Sequence, residues 1–249
     1  MSAINETGQH QLAARLPKAA VAWFLAAAVL FLASALLQHL ASIQRWVVLR
    51  GQRPGHEPSV EDHLLDYIFP SDPWEPIGTA AQLFGAGTMV QAVGILAMAL
   101  GVLAVPRVAP NRIGVISETV FAILVAASFF TVGTHALVSR ISGVPSTMQD
   151  SQGLVAFMVW GGFESLAALA WLWMGMSRGA VAACLFLLGT TLPGSAISNF
   201  TIAPMIAGFV SHDTTPWLES VVASSSAAAA LAMAFAAWSG VRRHRRARA

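Results

Sequence analysis

Charged side chains are scarce in this chain of 249 residues, which carries only 14 Lys+Arg and 12 Asp+Glu. A soluble domain of average composition has about one charged residue in four, or roughly 60 at this length. Apolar residues make up 56% of the sequence before its 20 glycines are counted. So few charges cannot cover a water-exposed surface, which excludes a soluble enzyme domain and a disordered chain. The composition predicts a protein that crosses a membrane several times.

Cysteine and catalytic motifs are also nearly absent. The single cysteine, Cys184, lies in an apolar run, so an intrachain disulfide is excluded. There is no glycine-rich phosphate loop, no Gly-x-Ser-x-Gly and no His-Glu-x-x-His. The short connections leave no room for a nucleotide-binding domain. These absences argue against hydrolysis and against ATP-driven transport by this chain alone.

Basic residues are concentrated at the carboxyl terminus, where the cluster follows directly on an apolar stretch. It consists of Arg242, Arg243, Arg245, Arg246 and Arg248. Such a cluster is typical of a cytoplasmic anchor that contacts anionic lipid. We therefore expect the lipid bilayer as a partner and no nucleic acid. Lys18 is the only lysine, and this bias toward arginine, with abundant alanine, indicates a GC-rich bacterial genome.

Six charge-poor stretches are long enough to cross about 30 Å of hydrocarbon as helices. They cover residues 19–43, 77–105, 113–139, 153–176, 180–199 and 217–240. Most connections are short, so successive spans are expected to be antiparallel neighbours. The predicted fold is all-α: a compact, polytopic bundle of about six transmembrane helices that forms a single domain over residues 1–249.

The distribution of Lys and Arg predicts the orientation of this bundle. With the amino terminus in the cytoplasm, ten of the 14 basic residues lie inside and four lie outside. Cytoplasmic segments carry the excess of Lys and Arg, so both termini, including the basic tail at 241–249, are predicted to be cytoplasmic. In a bacterium this describes a multi-pass protein of the inner membrane.

The longest connection, residues 44–76, is predicted to lie outside. It contains five prolines, and residues 59–62 (Ser-Val-Glu-Asp) resemble a capping box before an amphipathic stretch at 63–69. This pattern predicts a short surface helix over the outer end of the bundle, ended by Pro70.

Small residues and one Pro-Gly pair predict how the spans pack. The second span carries small residues at intervals of seven: Ala80, Gly87, Gly94 and Gly101. We interpret this face as a close helix contact. Pro193-Gly194 interrupts the fifth span, either as a kink whose freed backbone groups bond to Thr190, Thr191 and Ser195, or as a site that exposes those groups to a ligand.

Glu164 is the most unusual residue, because it lies about 16 Å along the fourth span and near the bilayer midplane. A carboxylate at that depth costs at least ~2.5 kcal/mol, so Glu164 is predicted to face the bundle interior. Gln91, at a similar depth in the second span, is a candidate hydrogen-bond donor to it. Two interpretations remain: a proton or cation site, and a protonated helix clamp.

Histidines near the outer ends of the spans form a second candidate site. His39 in the first span and His135 in the third lie at one level, as axial haem ligation or half of a copper or zinc site requires. His63 and Asp66 on the predicted surface helix add ligands from above. Haem or a transition metal is therefore the candidate cofactor. The alternative is that these histidines contact lipid head groups or cap helix ends.

Two classes of function are compatible with these features. The absent catalytic motifs and short loops favour a non-enzymatic membrane component, either an accessory subunit or a small carrier. The alternative is a membrane-embedded redox enzyme or subunit that binds a metal or haem at the outer surface. A homo-oligomer or a larger membrane complex is the expected assembly.

Overall fold

The structure, a computed structural model, describes residues 17–52, 60–107, 111–208 and 213–246, with side chains to residue 241. Within these ranges the chain is helical and contains no β-strand. The helices are α1 (Lys18–Gln52), α2 (Ala80–Leu103), α3 (Arg112–Ser142), α4 (Gln152–Trp173), α5 (Arg178–Leu188), α6 (Leu192–Ala207, interrupted at Thr201) and α7 (Leu218–Arg246). The predicted all-α bundle is confirmed.

Five helices, α1 to α4 and α7, are each long and apolar enough to cross a membrane, while α5 and α6 qualify only as a pair bent by 69°. Helix α5 runs antiparallel to α7, and the following α6 stays in contact with the start of α7. Gly179 lies against Ala236, Gly189 lies against Ser225, and α6 is hydrogen-bonded to residues 213–215 just before α7. Counted together as one broken span, the pair gives the bundle six candidate spans.

The six spans form a closed ring in chain order. Each of α1 to α4 packs against the next helix, α5 packs against α7, and α7 packs back against α1. A core of buried, mostly apolar side chains fills the ring. We call the end of the bundle covered by residues 60–79 the loop end, and the opposite end, where α7 ends, the tail end.

Glycines allow the first three helices to approach closely. A methyl group on Gly94 would come within 2.7 Å of Phe31 Cε1 in α1, and one on Gly101 within 2.5 Å of Phe24. Between α2 and α3 the backbones themselves meet, since a methyl group on Gly85 would lie 2.6 Å from the Gly133 carbonyl oxygen. The interpretation of the small residues as a close helix contact is confirmed.

The segment at the loop end differs from the sequence prediction. Helix α1 continues to Gln52, so the first part of the predicted external loop is helical. The surface helix predicted over 63–69 is wrong: His63–Leu65 form one 3₁₀ turn, capped by Asp62, which accepts from the Leu64 N–H at 2.8 Å. Ser59 of the predicted capping box lies outside the described residues.

The reason for this difference is tertiary packing. Leu65 and Tyr67 are buried in a second apolar cluster that closes the loop end, together with Ile77 and Phe84. A helix on the surface would leave one apolar face exposed, whereas the extended segment inserts both side chains into the ring. Residues 60–79 therefore act as a plug rather than as an amphipathic cover.

The break in the fifth span precedes the predicted position. Pro193 lies in the first turn of α6, where its missing N–H costs nothing, and the break covers Gly189 to Thr191. The Thr190 and Thr191 hydroxyls donate to the carbonyls of Leu187 and Leu188, both at 2.7 Å. The prediction that hydroxyls satisfy the freed backbone groups is confirmed.

The tail end is fastened by an ion pair, and α7 extends beyond the predicted span. Glu118 receives two hydrogen bonds from the guanidinium of Arg107, at 3.0 and 2.5 Å, which holds the α2–α3 connection. Helix α7 ends at Arg246 rather than at residue 240. Four tail arginines thus lie in the helix, with side chains outside the described part: Arg242, Arg243, Arg245 and Arg246. Arg248 lies outside the described residues.

Candidate functional site

The most extensive polar cluster lies at the loop end around Arg45, whose side chain is fully buried. Its Nη1 donates to Asp66 Oδ1 at 2.5 Å and to Glu219 Oε1 at 2.9 Å. Its Nε and Nη2 donate to the carbonyls of Val60 and Asp62, at 2.8 and 3.0 Å. A single guanidinium therefore joins α1, the loop-end plug and the start of α7.

Both carboxylates of this cluster have a second donor. Glu219 accepts from Trp46 Nε1 at 2.5 Å, and Asp66 accepts from Thr214 Oγ1 at 2.5 Å. Buried charges persist in proteins only when they are paired and hydrogen-bonded in this way. One guanidinium against two carboxylates leaves the ionised cluster with a net negative charge.

A cavity of about 140 Å³ opens beside the two carboxylates. It is lined by Asp66, Ile68, Phe69, Leu192, Ser195, Thr214, Leu218 and Glu219. Pockets for drug-sized ligands occupy roughly 300–1,000 Å³, so this space fits only a small solute. Deeper in the bundle, next to the α5–α6 break, the free volume is about 10 Å³. That is room for about one water molecule.

Tyr67 of the plug, which follows Asp66 in the sequence, is buried with its ring edge-on to Phe84 at a centroid distance of 5.9 Å. Burial raises the pKa of the Tyr67 phenol well above its ordinary value, because the phenolate would lose its hydration. The phenol is therefore neutral at physiological pH and adds no charge to the cluster.

Gln91 joins the middle of the bundle through side-chain hydrogen bonds. Its Oε1 accepts from Ser34 and Gln38 of α1, at 3.2 and 3.0 Å, and from Ser226 of α7 at 2.9 Å. Its Nε2 donates to Thr190 Oγ1 at 2.7 Å, at the α5–α6 break. Because this network engages both ends of the Gln91 amide, it clamps four spans together.

Glu164 lies away from this network, so the prediction of an interior carboxylate that meets Gln91 is wrong. The inward face of α4 is occupied by Ser165, Leu166 and Leu169, which turns Glu164 to the outside of the bundle. Glu164 forms no hydrogen bond or ion pair with any residue that the structure describes. It lies about 18 Å along α4, at the depth of the hydrocarbon.

His135 does not offer a metal site, because both ring nitrogens are engaged. Nε2 lies 2.9 Å from the Pro70 carbonyl oxygen, and Nδ1 lies 2.6 Å from Ser146 Oγ. A carbonyl oxygen only accepts, so Nε2 carries the proton and Nδ1 accepts from the serine hydroxyl. This histidine ties the plug to α3. Ser146 is only 6% exposed, so its hydroxyl is not accessible to a substrate as a nucleophile.

The other predicted metal ligands are also dispersed. Asp66 is held by Arg45, while His63 is exposed, with its Nδ1 3.3 Å from Asp62 Oδ1. His39 lies on α1, and α2 packs between α1 and α3. No group of three or more candidate ligands comes together in the described part of the chain. The described structure therefore does not bring His39, His135, His63 and Asp66 together as the predicted metal or haem site.

Sequence reasoning missed the pairing of Arg45 with Glu219. The sequence prediction places Arg45 in the external connection 44–76 and assigns no role to Glu219. A signal was present, because the two opposite charges lie at the same end of two long apolar stretches, where helices α1 and α7 meet. Their separation of 174 residues gave no indication that these helices are neighbours.

Comparison with known proteins identifies no relative. No protein family, no curated protein sequence and no solved structure matches this chain. Its function must therefore be inferred from the site chemistry. That chemistry consists of a satisfied clamp at mid-bundle, a paired acidic cluster at the loop end, and one unpaired carboxylate on the outside of α4.

Proposed function

We propose that this protein is a non-enzymatic accessory subunit of a membrane complex, and that it contacts its partner through the Glu164 face. We define this face as Trp160, Glu164, Ala167 and Trp171, which are all exposed along one side of α4. The observation that carries the proposal is the carboxylate itself. Facing hydrocarbon it costs at least ~2.5 kcal/mol, and a donor from another helix removes that cost.

The composition of the Glu164 face supports a protein partner. Trp160 and Trp171 are 52% and 73% exposed. Trp160 lies about 12 Å along α4, deeper than the interfacial belt in which indoles are usually found. Tryptophan is enriched at the centres of protein contacts and needs an acceptor for its N–H. Ala167, one turn after Glu164, allows a neighbouring helix to approach closely.

The charge of Glu164 selects the kind of partner. In a symmetric pair of copies, Glu164 would meet Glu164 at the same depth, and two adjacent carboxylates cannot both be ionised without a large cost. A transmembrane helix that carries Arg, Lys, Asn or Gln at this depth supplies the missing donor. The partner is therefore a different protein with such a residue in its span.

We further propose that the protein resides in a bacterial inner membrane with both termini in the cytoplasm and the loop end outside. The support is the excess of Lys and Arg in the segments at the tail end. Counting the bent pair α5 and α6 as one span also gives an even number of spans, which places both termini on one side. The Glu164 face then lies within the lipid phase, where only another membrane protein or lipid reaches it.

Photo-crosslinking in native membranes tests the accessory role. A photoreactive amino acid in place of Ala167 is expected to form one major adduct. The crosslinked helix of the partner should carry a basic or amide side chain within about one turn of the adduct. Changing Glu164 to Ala in the same protein should reduce the adduct at least about tenfold, because the pairing group is gone.

Ile123→Ala is the matched control, since Ile123 is 55% exposed on the neighbouring helix α3. This change should leave the adduct unaltered. Adducts only with lipid, or a yield that does not depend on Glu164, would overturn the proposal. An adduct with a second copy would replace it by a homodimer.

A small carrier is the second candidate, and the loop-end cavity favours it. Asp66 and Glu219 line this cavity, and their carboxylate oxygens suit a small organic cation. The satisfied groups at Gln91 and the α5–α6 break count against a path through the bundle. Uptake of choline into proteoliposomes, compared with Asp66→Asn, tests this candidate. The redox alternative has no support in the geometry around His135.

A further inference from the structure

A shallow apolar groove of about 340 Å³ runs along the outside of the bundle between α5 and α7. Small residues create it: Gly179 and Ala182 on α5 and Ala228 and Ala232 on α7. The two helices touch at Gly179, where a methyl group would lie 2.6 Å from Ala236 Cβ. The groove thus follows from the packing of these two helices.

Apolar side chains border this groove and face the membrane. Phe186, Leu231 and Phe235 are 46%, 73% and 57% exposed. Along α5 the groove measures about 10 Å, a length suited to part of an extended hydrocarbon chain. A bilayer supplies such a chain at this position.

A cation lies at the tail-end mouth of the groove. Arg178, the first residue of α5, lines the mouth and is exposed. It forms no ion pair or hydrogen bond with any residue that the structure describes, whereas Arg45 and Arg107 are each paired with a carboxylate. The helix that forms the other wall continues to Arg242, seven residues and about two turns after Phe235.

We propose that this groove binds an anionic phospholipid from the leaflet at the tail end. One acyl chain lies between α5 and α7, and the phosphate pairs with Arg178. Basic pockets between transmembrane helices bind anionic head groups in this manner. An apolar protein helix in the same groove would leave the guanidinium without a counter-ion, so charge complementarity favours the lipid. The inference is independent of the Glu164 face, which lies on α4.

Native mass spectrometry of the full-length protein, stripped of lipid in detergent, tests this inference. Phosphatidylglycerol should be retained about fivefold or more over phosphatidylcholine, which has the same chains and no net charge. Arg178→Gln should remove most of this preference, and Arg178→Lys should retain it. Ala228→Phe, which fills the groove and keeps the charge, should reduce retention of both lipids.

Arg112→Gln is the matched control, because Arg112 is an exposed arginine at the tail-end terminus of α3. It should leave the preference unchanged. Equal losses in Arg112→Gln and Arg178→Gln would indicate unspecific charge attraction and would overturn the inference, as would equal retention of both lipids by the wild type. If Ala228→Phe fails to fold, the contrast between Arg178→Gln and Arg178→Lys still decides the result.

Discussion

Gln91 and Glu164 are polar residues at similar depths in two apolar spans, yet their surroundings are opposite. Gln91 is completely buried and bonded to three other helical elements, while Glu164 is exposed without a described partner. A polar group inside a bundle stabilises the packing when both its donor and its acceptor are engaged. A polar group at the same depth on the outside of the bundle loses its hydration and gains no such hydrogen bonds.

The two residues are therefore expected to respond differently to leucine. Gln91→Leu should lower the free energy of unfolding by about 1–3 kcal/mol, since four side chains lose a hydrogen-bond partner. Glu164→Leu should leave the melting temperature of the purified protein unchanged or raise it. Thermal unfolding followed by circular dichroism in one detergent checks both. A large destabilisation in Glu164→Leu would reveal a partner within the chain and remove the reason for an external one.

Arg45 is the second residue whose replacement has a definite expected cost. Arg45→Gln should destabilise the protein by about 3–5 kcal/mol, because Glu219 would remain buried without its counter-charge. Arg50→Gln, one turn further along α1 at an exposed position, should change the stability by less than about 0.5 kcal/mol.

Chemical denaturation of the Arg45 and Arg50 variants gives the two values. The double variant Arg45→Leu, Glu219→Leu should recover part of the loss, since it removes both charges from the interior. The single variants Arg45→Leu and Glu219→Leu complete the comparison. If the double variant loses as much stability as these two single changes together, the two side chains do not interact, which would contradict the ion pair at the loop end.

At the scale of elements, two π-helical segments accompany the polar features. Gln44–Leu49 in α1 contains Arg45 and Trp46, adjacent residues that both donate to Glu219. Phe157–Gly161 in α4 precedes Glu164. Such segments shift the helix face that follows them and occur frequently at functional positions. Neither π-helical segment has a recognisable sequence pattern. The side of the helix on which Arg45 and Glu164 lie could therefore not be predicted from a regular helical repeat.

Close contact between α2 and α3 is the element-scale feature most sensitive to a single methyl group. Gly85→Ala should cost about 1–3 kcal/mol, because the new Cβ would lie 2.6 Å from a backbone oxygen of Gly133, which cannot rotate away. Gly153→Ala, where the space within 4 Å is empty, is the control. Melting temperatures of the two variants check this. Equal values would show that the two backbones can separate at little cost.

For the whole molecule, the six-span bundle predicts that the loop end and the tail end lie on opposite sides of the membrane, and the proposed orientation places the loop end outside. Single cysteines at Ser71 and Asp150 mark the loop end, and one at Asn111 marks the tail end; all three positions are exposed. Cys184 is buried and should remain unlabelled. A membrane-impermeant maleimide applied to intact cells should label Ser71→Cys and Asp150→Cys.

Asn111→Cys should react only after the membrane is inverted or opened. Labelling of all three positions from outside would contradict the six-span topology. Reaction of Asn111→Cys alone from outside would keep the topology and reverse the proposed orientation.

The sequence by itself determined that the chain is an all-α bundle, and where most of the apolar helices long enough to cross a membrane lie. This was possible because the free energy of placing a segment in a membrane is a sum over its own residues and needs no knowledge of neighbours. The close contact of the second span also followed, since its glycines repeat along one face. Where the local pattern and the packing disagreed, as at 63–69, the prediction was wrong.

Only the tertiary structure decided which side chains meet. Arg45 pairs with Glu219 across 174 positions in the sequence, and His135 with the Pro70 carbonyl across 65. Glu164 faces outward because other residues of α4 fill the interior. Such contacts depend on how each helix is rotated against two neighbours, and that rotation is set by packing around the whole ring. A span can be recognised alone, whereas the partner of a buried charge can be found only in the assembled bundle.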